Sequence, residues 1–229
     1  MRGLDLLLAR VATVRSRALD LLHERHSTSQ AHTKRLREIS AEAAHLDAAF
    51  NSWILSLPEE WRFSVLRFGN VDDQTRDLLY DNTTHVYSTQ NHAAIWNRYR
   101  AGRLISNGTH LRLLSALPED EPARKEMEKY QIIISSIATE LCQSVSFFFT
   151  HYDGQLETVD LNRSCFIEIE KDMSPMTAYL LAWPLTIALR TKFVPESQKQ
   201  WLRPKLELFA RYMGANLLTS IVNEEKVLF

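Results

Sequence analysis

The sequence has 229 residues, 45% of them apolar, which is enough to bury a sizeable core and argues against a disordered chain. Its 27 basic and 28 acidic residues give a net charge of −1, so the molecule as a whole has little long-range attraction for a polyphosphate backbone. Glycine is scarce, and the Leu, Ala, Glu and Arg content favours helices. We expect one all-α domain over residues 1–229, a bundle of about seven to nine helices.

The sequence gives no sign of a membrane span or of a signal peptide. No stretch has the ~18 consecutive apolar residues that a span requires, and the apolar stretch near the start is interrupted by Asp5 and Arg10. That stretch is also too short for a signal peptide and lacks the small-residue cleavage pattern. The two cysteines, Cys142 and Cys165, are too few for a zinc cluster and fit a reducing compartment.

Residues 4–57 are predicted to form a helical hairpin. Apolar residues recur every three or four positions in two segments, which is the pattern of a stripe along an amphipathic helix. The stripes are Leu4, Leu7, Val11, Val14, Ala18 and Leu21, and then Leu36, Ile39, Ala43, Leu46, Phe50, Trp53 and Leu57. Ser27, Thr28 and Ser29 are candidate N-caps between them. A homodimer or a protein partner held through the heptad stripe 36–57 would give the same pattern.

The middle of the chain divides into an irregular part and a helical core. Residues 58–87 are expected to be irregular, with "GNVDDQ" and "YDNTT" as turn material and one short helix from Asp72 to Tyr80. The helical core, residues 88–150, is predicted to hold a helix from Gln90 to Leu117 and another from Ala123 to Phe149, separated by "PEDEP".

The last third is predicted to be a loop followed by helices. We treat residues 151–173 as a loop, because its alternating "CFIEIE" would be a single strand without a partner. The C-terminal helices, residues 174–226, include one that should kink or restart at Pro184. The final pair is expected near Pro195 to Tyr212 and Gly214 to Lys226.

The stretch "IWNRYRAGRL", residues 95–104, combines aromatic rings with three arginines and no acid. The helical period brings Trp96, Tyr99 and Arg103 to one face, with Arg100 at its edge. The favoured interpretation is an interior helix whose arginine stems pack on the rings and whose guanidinium groups pair with carboxylates elsewhere. These four residues are also candidates for a small-molecule anion pocket. Nucleic-acid contact is a third interpretation, disfavoured because residues 88–117 contain no lysine.

Trp183 is a fifth candidate for a ligand pocket. It precedes Pro184, which leaves the carbonyl of Leu180 without its helical donor, and pockets between helices often use such breaks. The favoured interpretation, however, is a core anchor.

No catalytic motif or metal-ligand spacing is present, so we assign no catalytic residue, metal site or cofactor. Cys142 is predicted to act as a small hydrophobe. His151, Asp153 and Glu168 would be the acid/base groups of an enzyme, but solvated loop charges are the commoner case.

Six segments in order carry a family resemblance. They are "WILSLPEEW" (Trp53 to Trp61), "HVY" (His85 to Tyr87), "WNRYRAGR" (Trp96 to Arg103), "LCQSV" (Leu141 to Val145), "LLAWPL" (Leu180 to Leu185), and "WL" followed by "YMGANL" (Trp201, Leu202, Tyr212 to Leu217). Together they resemble the C-terminal part of the regulatory region of fungal zinc binuclear-cluster transcription factors, over nearly the whole chain.

The sequence also departs from that family. It has no six-cysteine DNA-binding module, the part of the regulatory region that usually precedes Leu4 is missing, and Ser146 stands where the family tends to have proline. The chain thus resembles a separated C-terminal half of such a factor.

The resemblance implies an effector-sensing or partner-binding domain that acts in the nucleus and makes no direct contact with nucleic acid. The alternative is a free-standing small-molecule binder or enzyme of a fungal biosynthetic pathway that reuses the fold, in the cytoplasm if the chain stands alone. A small apolar or anionic metabolite is the expected ligand in either case.

Overall fold

The protein is described by a computed structural model over residues 2–24, 29–69, 73–118, 120–149 and 175–213. The helices in these ranges are α1 (Arg2–His23), α2 (Gln30–Leu55), α3 (Asp73–Leu78), α4 (Gln90–Leu114), α5 (Glu121–Val145), α6 (Pro175–Arg190) and α7 (Glu196–Met213). Two short strands, β1 (Ser64–Arg67) and β2 (Thr83–Val86), pair antiparallel. The predicted all-α bundle is confirmed, and it opens with the predicted helical hairpin.

The hairpin of α1 and α2 forms because two apolar stripes meet. Helix α2 begins after Ser29, whose Oγ accepts a hydrogen bond from the backbone N–H of His32 at 3.2 Å. Ser29 is thus the cap, while Ser27 and Thr28 lie outside the described residues. Most residues of both stripes are buried in one hydrophobic cluster together with Tyr99 and Leu113 of α4, and Leu7 and Trp53 are partly buried against it.

This packing corrects one interpretation of the heptad stripe 36–57. Its residues from Leu36 to Phe50 are buried against α1 and α4 of the same chain. The residues from Leu36 to Phe50 are therefore not free to bind a second copy or another protein, whereas Trp53 and Leu57 are only partly buried.

Helix α4 lies between two hydrophobic clusters. One is shared with α1 and α2, and the other with β2, α5, α6 and α7. Residues that the helical period places on opposite faces, such as Asn97 and Tyr99, are therefore both buried. Because α4 is covered on both sides, the polar groups on its buried faces must find their hydrogen bonds inside the protein.

The segment expected to be irregular contains the β1–β2 hairpin. The strands pair from Ser64 with Val86 to Arg67 with Thr83, and α3 confirms the short helix predicted between them. Asp81 and Asn82 adopt φ values of 53° and 49°, which these two residue types tolerate better than most, so "YDNTT" forms a turn as predicted. All four residues of β2 are buried, so the strand lacks the alternation that would have revealed it.

The helices α6 and α7 lie where the C-terminal helices were predicted, but α6 does not restart at Pro184. Helix α6 continues through Pro184, and α7 contains a second internal proline, Pro204. The predicted loop 151–173 and the predicted helix from Gly214 to Lys226 lie outside the described residues.

At Gly102, helix α4 lies very close to the helical hairpin of α1 and α2. A Cβ atom at this position would lie 2.6 Å from Cζ of Phe50 and 2.8 Å from Cδ2 of Leu8. We predict that Gly102→Ala lowers the melting temperature by roughly 2–8 °C, because overpacking costs more than the helix propensity that alanine adds.

Gly108→Ala is the matched control on the same helix. Its new Cβ would meet only Cγ2 of Thr191, at 3.3 Å, so the change in melting temperature should be clearly smaller. A Gly102→Ala protein as stable as the wild type in thermal unfolding would show that α4 and the hairpin are not packed this closely.

Candidate functional site

The side chain of Arg100 is fully buried and is surrounded by hydrogen-bond acceptors. Its exposed fraction is 0%. Nε donates to Oε2 of Glu140 at 3.2 Å, and Nη1 donates to the hydroxyl of Tyr87 at 2.7 Å and to Oδ1 of Asn97 at 2.9 Å. Nη2 lies 3.2 Å from Nδ1 of His85. We call Arg100, His85, Tyr87, Asn97 and Glu140 the Arg100 cluster.

The ionisation states within this cluster support one another. Burial lowers the pKa of His85 to about 3, and the neighbouring Arg100 charge adds to the shift. The ring is therefore neutral near pH 7, and Nδ1 can accept the hydrogen bond from Arg100. Burial lowers the pKa of Arg100, but Tyr87 and Glu140 together outweigh it, so the guanidinium stays charged.

Aromatic rings enclose the same guanidinium. Its Cζ atom lies 5.1 Å from the ring centroid of Phe63 and 5.4 Å from that of Trp96. Trp96 is fixed in turn by a 2.7 Å hydrogen bond from Nε1 to the carbonyl of Trp61, and Phe63 stacks on His85 at 4.2 Å. Cation–π contact therefore adds to the hydrogen bonds in holding Arg100.

A second set of polar side chains joins α4 to α2. We call it the Asp47 cluster; its members are Asp47, Asn51, Tyr99, Arg103 and Asn107. Arg103 donates from Nε to Oδ1 of Asp47 at 2.6 Å and from Nη2 to Oδ2 at 3.0 Å, a bidentate pair. Nδ2 of Asn107 donates to the same Oδ1 at 2.8 Å. The hydroxyl of Tyr99 accepts from Nη1 of Arg103 at 3.3 Å and donates to Oδ1 of Asn51 at 2.9 Å.

The Asp47 cluster belongs to a line of polar contacts along the α2–α4 interface. Further along, Oγ of Ser106 donates to the carbonyl of Ala43 at 2.7 Å. Beyond that, Nδ1 of His110 lies 2.9 Å from the carbonyl of Ser40. We call this line the α2–α4 seam; it runs from Tyr99 to His110 on α4.

The structure thus places four of the five predicted pocket residues together. Trp96 and Arg100 belong to one polar network, Tyr99 and Arg103 to the other, and all four lie on α4. The interpretation of this stretch as an interior helix with paired arginines is confirmed.

Trp183 is separate from these networks. It lies on α6 with 40% of its surface exposed, so the prediction that it anchors the core is wrong. Its neighbours Leu181 and Leu185 occupy the buried positions of that helix instead.

The other candidates for chemistry contribute no reactive group to this site. Cys142 is buried, and burial raises the pKa of its thiol, so it acts as a small hydrophobe as predicted. His151, Asp153 and Glu168 lie outside the described residues.

Within the described ranges no group of three or more His, Cys, Asp or Glu side chains could hold a metal ion. None of the helices in that part of the chain has the length and apolarity to cross a membrane.

Sequence reasoning missed the partners of the two arginines. His85 and Tyr87 stood out only as part of "HVY", although their spacing of two is that of residues on one face of an extended chain. Asp47 and Glu140 carry no local signal, because they are 56 and 40 residues away from the arginines that they bind.

We predict that Arg100→Lys destabilises the protein by about 3–5 kcal/mol, because an ammonium keeps the charge but cannot reach acceptors on three sides at once. Thermal unfolding should show a fall in melting temperature of roughly 10 °C.

The control is Arg98→Lys on the same helix, whose ion pair with Asp5 is largely exposed and is worth about 0–1 kcal/mol. Equal melting temperatures for the two variants would show that the Arg100 cluster does not stabilise the fold.

Comparison with protein-family models, with curated proteins and with solved structures finds no significant match. The family resemblance therefore rests on the six sequence segments alone.

Proposed function

We propose that this chain is a regulatory helical module of the type found in fungal zinc binuclear-cluster transcription factors. The observation that carries the proposal is that four of the six resembling segments meet at the Arg100 cluster and at the Trp96 ring that packs on it. "WNRYRAGR" supplies Arg100, and "HVY" supplies His85 and Tyr87. "WILSLPEEW" supplies the carbonyl of Trp61 that fixes Trp96. "LCQSV" supplies Ser144, whose Oγ donates to Asn97 at 2.8 Å.

Such convergence supports a shared core over a chance likeness. The four segments are far apart in the chain, and they stand out by their residues alone. Of the other two segments, "LLAWPL" lies in α6 and "WL" in α7, where Leu181, Leu185 and Leu202 are buried in the cluster on the far side of α4; residues 214–217 of "YMGANL" lie outside the described residues. Segments that build one core are those in which a fold constrains the residue types most strongly.

The departure at Ser146 also has a structural role. Its Oγ donates to Oγ1 of Thr84 at 2.6 Å, which ties the end of α5 to β2. Proline has no hydroxyl and could not make that contact. In this chain, therefore, a side-chain hydrogen bond from Ser146 joins the end of α5 to β2.

Regulation needs more than one accessible packing, and two buried atoms suggest where the present packing is imperfect. Nδ2 of Asn97 and Oδ1 of Asn107, next to the two arginines, have no hydrogen-bond partner in the described part of the chain. Each such atom costs about 1–3 kcal/mol. An arrangement of α4 that satisfies them would therefore lie close in free energy, and an effector could shift the population towards it.

In this proposal the module acts in the nucleus, restraining or releasing activation in response to a partner or a small metabolite. The second candidate is a free-standing small-molecule binder, and it is favoured by a cleft beside His110. Enzymatic activity has less support, because the titratable side chains of the Arg100 cluster, His85, Tyr87 and Glu140, are each paired with Arg100.

The regulatory proposal predicts an effect on a tethered activator. The full chain would be placed between an unrelated DNA-binding domain and an acidic activation segment, and reporter output would be measured in a fungal host. The wild-type chain should change the output several-fold relative to the same fusion carrying Arg100→Lys, because that variant loses hydrogen bonds of the Arg100 cluster that hold α4 in its present packing.

The Arg98→Lys fusion is the control and should behave as the wild type, with protein levels compared by immunoblot. Identical output from all three fusions at equal protein levels would overturn the regulatory proposal.

A further inference from the structure

A cleft of about 450 Å³ lies at the end of the α2–α4 seam, where α2, the last turn of α4 and the first turns of α5 meet. Its polar lining includes Arg37 and Ser40 of α2, His110 of α4 and Glu126 of α5. Leu114 and Leu117 form an apolar wall. None of these residues belongs to the Arg100 cluster.

His110 is a buried polar residue at this cleft. Only 2% of its surface is exposed. Nδ1 lies 2.9 Å from the carbonyl oxygen of Ser40 and 2.8 Å from Oγ of the same residue. The hydroxyl of Ser40 can donate or accept, whereas its carbonyl oxygen can only accept, so the tautomer in which Nδ1 donates to this carbonyl carries the hydrogen on Nδ1. In a neutral ring the other nitrogen, Nε2, is then left with a free lone pair.

Nε2 and Glu126 present two acceptors side by side. Nε2 is buried and makes no hydrogen bond within the described part of the chain, although Oε1 of Glu126 lies only 3.3 Å away. Burial lowers the pKa of His110, against the smaller opposing effects of Ser40 and Glu126, so the ring is neutral near pH 7. Two acceptors this close need a donor between them, and a group with several N–H bonds, such as an ammonium, supplies it.

The surrounding charges argue against a simple cation as the ligand. Arg37 lines the cleft and has no ion-pair partner among the described residues. The positive charge of Lys129 also lowers the pKa of His110. Asp120 is already engaged, because its side chain caps α5 by accepting from the N–H of Ala123 at 2.8 Å. A ligand with both an ammonium and an anionic group fits this charge pattern better than either alone.

We propose that the cleft binds a small zwitterion of the amino-acid class. Its ammonium donates to Nε2 of His110 and to Glu126, its carboxylate pairs with Arg37, and its apolar side chain lies against Leu114 and Leu117. The hydroxyl of Ser40 is buried against His110 and does not face the ligand as a nucleophile would. The role of the cleft as an effector site rests on the proposed function, whereas binding itself does not.

The first test is the tautomer of His110, read from its ring ¹⁵N resonances in the full chain at pH 7. The proposal requires hydrogen on Nδ1 and a free lone pair on Nε2. Hydrogen on Nε2, directed at Glu126, would overturn it, since the two acceptors would then already share a donor.

The second test uses three probes of one shape: L-phenylalanine, 2-phenylethylamine, which lacks the carboxylate, and 3-phenylpropionate, which lacks the ammonium. L-Phenylalanine should bind most tightly and shift the Nε2 resonance, the amine should bind more weakly, and 3-phenylpropionate should bind least. No binding of L-phenylalanine, or equal binding of 3-phenylpropionate, would overturn the proposal.

Variants assign the two charged ends of the ligand. Glu126→Gln should weaken binding of both amines at least about tenfold. Arg37→Gln should lower the affinity for L-phenylalanine to that for 2-phenylethylamine, and it should leave the affinity for 2-phenylethylamine unchanged. Glu128→Gln, exposed on the same helix, is the control and should match the wild type. If binding follows this pattern but the tethered activator does not respond, the site stands and the regulatory proposal fails.

Discussion

A charged guanidinium that leaves water must recover its hydrogen bonds inside the protein, and the burial of Arg100 imposes this condition on the whole bundle. The acceptors come from the β-hairpin, from α4 itself and from α5. Each of these elements must therefore lie where its acceptor reaches Arg100. The β1–β2 hairpin gains most from this arrangement, because two four-residue strands would be marginal on their own.

The sequence predicts those parts of the fold whose signal is local. The stripes of α1 and α2, the Ser29 cap and the turn at Asp81 and Asn82 follow from periodicity and residue type within a few positions. Mixed rings and arginines in "IWNRYRAGRL" also indicated buried ion pairs. Their partners could not be predicted, because Asp47 and Glu140 meet the arginines only after the helices have packed.

The cleft beside His110 escaped prediction for the same reason. Its groups come from three helices, and none of them stands in a motif. Trp183 shows the opposite error, since an aromatic residue before a helical proline was expected to be interior, yet α6 buries its leucines instead. The α2–α4 seam connects the cleft at His110 with the Asp47 cluster, so a ligand at one end would act on contacts that position α4.

The protonation state of His85 tests the central claim most directly. Its neutral ring accepts from a charged Arg100, so the ¹⁵N resonances should show a neutral imidazole down to about pH 4, because the folded pKa is about 3. An unfolded histidine takes up its proton near pH 6.5, so this residue should make the fold less stable as the pH falls below 6.5. A ring that titrates near pH 6.5 in the folded protein would show that His85 does not accept a hydrogen bond from Arg100. That result would contradict the claim that buried acceptors hold Arg100 in place.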